Sequence, residues 1–248
     1  VYFSVIAFIL GTVLGSFLNC AAWRISRKMD FVKGRSICPK CKHELSALDL
    51  FPIISYIAGR GRCRYCKEKI SIRYPMTELC FGIISLVMFL QAGLSVLYLR
   101  NLVFACALFC LSLVDIEIYE IPDGCILISL LAWVISLPFL QVTKSYIIGH
   151  VAAAFLFGVG FLILSLVMDK LLKKESLGGG DIKLFFVMGL YLGVIGGMFA
   201  VIIAAMAGLL FAKGKEKISF GPFISAATWL MLTFGEPIVA WYMNLLLL

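Results

Sequence analysis

Apolar runs near the length of a bilayer crossing recur along almost the whole chain, and they restrict its fold more than any other feature. They are Val1–Trp23, Met76–Gly93, Asn101–Val114, Ile126–Leu140, Tyr146–Val167, Leu184–Ala212 and Phe220–Phe234. About 20 such residues span the hydrocarbon core as a helix, and only helices or closed barrels satisfy their backbone there. Hydrophobic residues make up 62% of the chain and the mean hydropathy is +1.04, where about half apolar is usual for a soluble protein. The expected class is therefore an all-α polytopic membrane protein, with the lipid bilayer as its first partner. Leu184–Ala212, 29 residues long, is long for one span and short for two. Its Gly193–Gly197 region reads as a turn between a short helix and a returning one, giving about eight spans. Gly235-Glu236-Pro237 reads as a break after the last clear span, with 238–248 either a continuation or an interfacial helix.

Charge supplies the orientation. Residues 24–73 carry 13 Lys/Arg against 4 Asp/Glu, while the rest of the chain sums to −1. Basic residues gathered in one loop between spans place that loop in the cytoplasm without calling on nucleic acid as a partner. Both chain ends then fall outside, and Lys213, Lys215 and Lys217 fall inside. Residues 1–23 read as a first span that is not a cleaved signal, 24–75 as a soluble loop domain, and 76–248 as the transmembrane core. Leu94–Arg100 reads as a short outer loop. Gly11, Gly15 and Ser16 give the first span a small-residue face for another helix, and Asn19 near its inner end requires a polar partner.

The soluble loop holds Cys38-Pro-Lys-Cys41 and Cys63-Arg-Tyr-Cys66, 21 residues apart. Two such knuckles supply four thiolates, the donor set a tetrahedral structural zinc site favours. Two disulfides are the alternative, disfavoured on the reducing side of a membrane. His43 could also ligate, but four cysteines already fill the site. A loop this small lacks a core of its own and needs such a staple. Cys20, Cys80, Cys106, Cys110 and Cys125 lie in apolar surroundings and read as packing residues.

Chemistry points to two carboxylates. Gly178-Gly179-Gly180-Asp181 leads into the Leu184–Ala212 run, and Asp115 ends the Asn101–Val114 span. An ionisable group at the membrane edge is a functional candidate, and the glycines let backbone or an extended peptide approach closely. Asp181 could equally be an N-cap. The topology nevertheless puts both aspartates at one depth on different helices. If they touch, they share a proton and hold an acid and a base together, as aspartic proteolysis requires. Two unrelated helix-end aspartates are the alternative, and Glu117, Glu120 and Asp123 are rival carboxylates. Lys183 could tune a carboxylate or anchor at the headgroups.

The motifs make a more specific pattern. They are Gly15-Ser-Phe-Leu-Asn19 with Arg24, the paired knuckles, Phe51-Pro-Ile-Ile-Ser55, Arg60-Gly-Arg-Cys63 and Ile72-Arg-Tyr-Pro-Met-Thr-Glu78. Asp115 through Ile121-Pro122-Asp123, Gly178 to Leu184, and Phe220-Gly-Pro-Phe223 follow in order. Together they resemble the type IV prepilin peptidase family, membrane aspartic proteases of the GxGD type, over nearly the whole chain. By position, the resemblance implies Asp115 and Asp181 as the catalytic pair, with Gly178, Gly180, Lys183, Pro122 and Asp123 supporting them. It implies cleavage of the basic leader of type IV pilin-like precursors at the cytoplasmic face of the bacterial inner membrane, after a glycine. Members with the four-cysteine loop also methylate the new amino terminus with S-adenosylmethionine. No soluble methyltransferase fold or nucleotide loop is visible here, so that activity rests on the resemblance. Glu78, Glu117 and Glu120 could attract the basic leader. Ser219, where the family usually has proline, and Gly179, where a larger residue is common, depart from the pattern without touching a catalytic group.

Two other readings stand beside this one. Another GxGD protease would lack the zinc loop and the Phe-Gly-Pro-Phe segment. A zinc-ribbon scaffold or a transporter with broken helices would fit the glycine break. No inverted repeat is visible, however, and the carboxylates sit at the membrane edge.

Overall fold

The computed structural model describes residues 2–30, 35–174, 176–212 and 218–246; the expected basic turn at Lys213, Lys215 and Lys217 lies outside the described residues. Its long helices are α1 (Tyr2–Ile25), α3 (Arg73–Ala92), α4 (Val96–Ile118), α5 (Asp123–Leu140), α6 (Lys144–Leu172), α7 (Gly179–Ala212) and α8 (Gly221–Leu246), with a short α2 (Ile54–Ala58) in the soluble loop. All seven long ones have the length and apolarity to cross a membrane. Their outer faces carry exposed Phe155, Leu156, Ile163 and Leu166 on α6 and Leu209 and Leu210 on α7. Such faces suit acyl chains and would be unusual in water.

The chain divides into two compact units, residues 1–98 and 99–248. In the first, α1 and α3 run antiparallel at very close range. A Cβ placed on Gly11 would stand 2.6 Å from Ser85 Cβ, and one on Gly15 would stand 3.0 Å from the Glu78 Cα. The small-residue face of α1 thus meets α3, where Gly82 returns the favour to Thr12. Ser85 donates to the Ala7 carbonyl at 2.9 Å, and the Asn19 amide donates to the Thr77 hydroxyl, the partner it required. Strong apposition to α1 is why α3, expected with the transmembrane core, belongs to this unit.

In the second unit α6 and the first half of α7 run antiparallel. His150 Nδ1 lies 2.8 Å from the Leu190 carbonyl, a Cβ on Gly189 would meet Ala154 Cα at 2.7 Å, and Phe161 stacks on Phe185 at 4.0 Å. At Gly193 the backbone leaves the helix, with φ 65° and ψ −169°. That is a conformation open to glycine at little cost. Gly197, four residues later, lies against the Phe157 ring, and Phe199 then meets Tyr242 at 5.2 Å. Phe220 lies against both Phe185, 6.4 Å away, and Gly208, so the chain turns back at Gly193 and α7 is two helices, with a turn where the glycines predict one.

Three boundaries differ from the sequence expectation. The connection before α4 is only Gly93–Ser95, so Arg100 and Asn101 sit inside the helix and are buried. The Asp115–Asp123 segment is mostly helical, with a loop only at 119–122. Helix α8 continues through Pro237 instead of breaking at Gly235. In an apolar medium every broken backbone bond is costly, so a helix keeps its remaining bonds around one proline; α5 does the same at Pro138.

Candidate active site and metal centre

The first unit contains the thiolate cluster. Each knuckle is a tight turn closed by an antiparallel bridge, Ile37 to Glu44 and Arg62 to Lys69. The two turns repeat one geometry. Cys38 N–H donates to His43 and Lys42 N–H returns to Cys38, both at 2.9 Å; Cys63 and Lys67 repeat this with Glu68 at 2.8 and 3.0 Å. Lys42 and Lys67 both take left-handed φ, 59° and 60°. The sulfurs of Cys38, Cys41, Cys63 and Cys66 all lie within 4.8 Å of one another, and Cys38 and Cys66 are 4.0 Å apart. Tetrahedral ligation at a Zn–S length of 2.3 Å needs sulfurs about 3.8 Å apart, so the cluster fits a metal ion. Burial opposes ionisation of Cys38, but N–H groups of Cys41 and Lys40 outweigh it and bring the thiol to about 7. The Glu68 N–H favours the Cys66 thiolate, yet desolvation and the three neighbouring sulfurs push it up to about 11. A bound cation would favour the thiolate form of such a cluster. His43 lies against Tyr65, ring centroids 3.7 Å apart and tilted by 35°, and all four donors are cysteine.

Glu78 lies in the same unit and is buried. Its carboxylate accepts the Ile53 N–H at 2.8 Å, holding the turn in which Ile53 adopts a φ of 61°. A branched residue in that region is strained, and the buried acceptor is what fixes it.

The aspartates belong to the second unit. Asp115 is 5% exposed near the end of α4. Its carbonyl accepts Tyr119 N–H at 2.9 Å, and Tyr119 turns left-handed at φ 56°, stopping the helix. Pro122 then caps α5, with Asp123 in its first turn. Asp181 opens α7 from the glycine run: its N–H and that of Ile182 donate to the Gly178 carbonyl at 3.0 and 3.3 Å. The glycines have separate tasks. A Cβ on Gly180 would stand 2.8 Å from Ile121 Cβ, and one on Gly178 would stand 3.2 Å from the Asp181 Oδ2, whereas Gly179 has nothing within 4 Å. Asp115 and Asp181 line one cavity of about 340 Å³ with Glu120, Asp123, Lys183 and the three glycines, and their charges act on each other. Lys183 Nζ pairs with Asp123 Oδ1 at 2.6 Å, joining the starts of α5 and α7. Glu117, half-buried on α4, is not among the lining residues.

Four carboxylates against one ammonium make the cavity acidic, and three glycines form part of its lining. A pair of interacting carboxylates in a cavity can activate water and polarise a carbonyl together. Two contributors lie in motifs already noted, but no contact could be assigned to them from sequence. Ile121 wedges against Gly180 and lies 3.4 Å from a Cβ placed on Gly221. Gly221, in the Phe220-Gly-Pro-Phe223 segment, donates its N–H to Asp115 at 3.0 Å.

Comparison with known proteins agrees with this anatomy. Residues 9–92 match the Bacterial Peptidase A24 N-terminal domain, and residues 102–213 match the Type IV leader peptidase family. The chain is 32% identical over 252 residues to a prepilin leader peptidase/N-methyltransferase of Bacillus subtilis, covering 98% of both proteins. It is 30% identical to the protein of that name from Neisseria gonorrhoeae, over 96% of this chain and 94% of the relative. The Aeromonas salmonicida protein is 28% identical over 99% of this chain and 95% of its own. No solved structure matches. With two adjoining domain matches and relatives aligned end to end, the chain belongs to the type IV leader peptidase family.

Proposed function

We propose that this membrane enzyme removes the leader peptide of type IV pilin-like precursors through the Asp115–Asp181 pair, and then N-methylates the new amino terminus. The single observation that carries the proteolytic reading is the shared acidic cavity, which brings carboxylates from α4 and α7 together although 65 residues separate them in sequence. One carboxylate of the pair takes a proton from water as it attacks the scissile carbonyl. The other, protonated, donates to the carbonyl oxygen; as the tetrahedral diol collapses it takes a proton back, and the first carboxylate passes the proton it took from water to the departing amine. Glu120 and Asp123 make the cavity mouth attractive to a basic leader, and the acidic Glu117 adds to the same field. Glu78, buried against Ile53, serves a substrate only through that turn. The apolar helix of the precursor partitions into the bilayer, which delivers its cleavage site to the membrane edge. The excess of Lys/Arg in the loop supports a cytoplasmic position for the loop, and the count of spans supports the same side for the aspartates.

Cys38, Cys41, Cys63 and Cys66 hold zinc in a closed four-thiolate site, a structural role with no open position for catalysis. The methyl donor is S-adenosylmethionine, which supplies its sulfonium methyl group to the freed amine.

The test is cleavage of a pilin-like precursor in detergent by wild type, Asp115→Asn and Asp181→Asn, with mass spectrometry of the product's amino terminus. Each substitution is expected to lower cleavage by about 10²–10⁴-fold or more. The product gains one methyl group only when S-adenosylmethionine is present. Undiminished cutting by either folded mutant would sink the dyad, and Asp123 would be tested next.

A further inference from the structure

The Phe220–Phe223 segment has no chemical part in the reading above, yet it touches the reacting centre. Gly221 opens α8 and is buried. Its N–H donates to Asp115 Oδ2 at 3.0 Å, the only side-chain hydrogen bond of Asp115 among the described residues. The neighbouring donors are committed elsewhere. Pro222 has no N–H, and those of Phe223 and Ile224 turn back to the Phe220 carbonyl at 3.1 and 3.2 Å. One donor of the first turn of α8 is therefore left, and it is aimed at the carboxylate. The free N–H groups and partial positive charge of a helix start favour an anion there.

Space makes the same point. A Cβ on Gly221 would stand 2.7 Å from Asp115 Oδ2 and 3.3 Å from its Cγ. Any side chain at 221 must therefore push the carboxylate away or withdraw the donor. Contact with Ile121 Cδ1, at 3.4 Å, is ordinary by comparison.

We propose that Gly221 is a positioning residue of the peptidase: its N–H pins Oδ2 of Asp115, leaving Oδ1 for water and Asp181, and its missing side chain permits that approach. This rests on the Asp115–Asp181 reading. A carboxylate turns readily about its terminal torsion, so a fixed donor on one oxygen is what holds the other in register with its partner. Reacting groups displaced by about 1 Å lose on the order of 10²-fold in rate.

The full-length enzyme in detergent is assayed as wild type, Gly221→Ala, Gly221→Ala with Ile121→Ala, and Asp115→Asn. Gly221→Ala is expected to lower kcat for cleavage about 10²-fold, with the precursor KM within about 2-fold and methylation of an already leaderless pilin retained. Relieving Ile121 should restore nothing, because the clash is with Asp115. Wild-type kcat in Gly221→Ala overturns the proposal, as does a loss that falls on KM or is rescued by Ile121→Ala. Where Asp115→Asn is inactive and Gly221→Ala is not, this proposal alone fails; an active Asp115→Asn sinks the dyad beneath it. A second measurement needs no altered fold at 221. The selectively labelled Gly221 amide proton resonance of the wild type should move upfield in Asp115→Asn, and an unmoved resonance refutes the hydrogen bond.

Discussion

Adjacent glycines of the 178–180 run should respond oppositely to the same small change, because only one of them faces a wall. In Gly180→Ala the new methyl would lie 2.8 Å from Ile121 Cβ. Carbon atoms settle at about 3.5–4.0 Å, so Ile121 and the loop carrying it must retreat by roughly 0.7–1.2 Å. Overpacking of this size costs about 1–3 kcal/mol, and alanine returns up to about 1 kcal/mol through helix propensity. The net loss of stability should be about 0–3 kcal/mol. Cleavage should fall far more, on the order of 10²-fold, since Ile121 follows Asp115 by six residues and a shift of about 1 Å disturbs the pair. Gly179→Ala has nothing within 4 Å to meet, and should keep its activity with stability unchanged or raised by up to about 1 kcal/mol. The assay is initial cleavage rate beside thermal unfolding in the same detergent. Ile121→Ala added to Gly180→Ala should recover most of the rate, because the two sites are directly coupled. Equal damage from Gly179→Ala, or no recovery in the double variant, would show that the run acts through flexibility, and the packing argument would be wrong.

Metal should be bound once per chain, and stripping it with a chelator should make Cys38, Cys41, Cys63 and Cys66 react with an alkylating reagent together. Protein that takes up no metal, or whose four thiols react equally before and after chelation, would contradict the cluster. Gly189→Ala forces a methyl within 2.7–2.8 Å of the Ala153 and Ala154 backbone and should lower stability by about 1–3 kcal/mol. Gly149→Ala, with open space around it, should be neutral, and thermal unfolding compares the two. Lys183→Met removes an ion pair whose side chains are 53% and 76% exposed, so stability should change by less than about 1 kcal/mol; a larger loss in chemical denaturation would mean the pair is more than a surface contact.

Sequence by itself determined the membrane class, where the apolar helices fall and the chemistry on offer. Run length and apolarity decide whether a segment enters a bilayer, and both are local properties. The reversal at Gly193 and the paired knuckles were legible for the same reason: a left-handed glycine and a C-x2-C turn are defined by a few neighbouring residues. Asp115 and Asp181 could be nominated from depth, because topology fixes depth. Their juxtaposition in one cavity could not be, since it depends on α4 and α7 meeting. Tertiary structure alone decided that Ile121 wedges against Gly180, that Gly221 N–H reaches Asp115, and that Glu78 is spent on Ile53. Each is a contact of a few ångströms between segments 25 to 106 residues apart, and no local pattern encodes such a distance. The same holds for α8, which continues through Pro237. A proline signals a break in isolation, and only the apolar surroundings make it cheaper for the helix to continue.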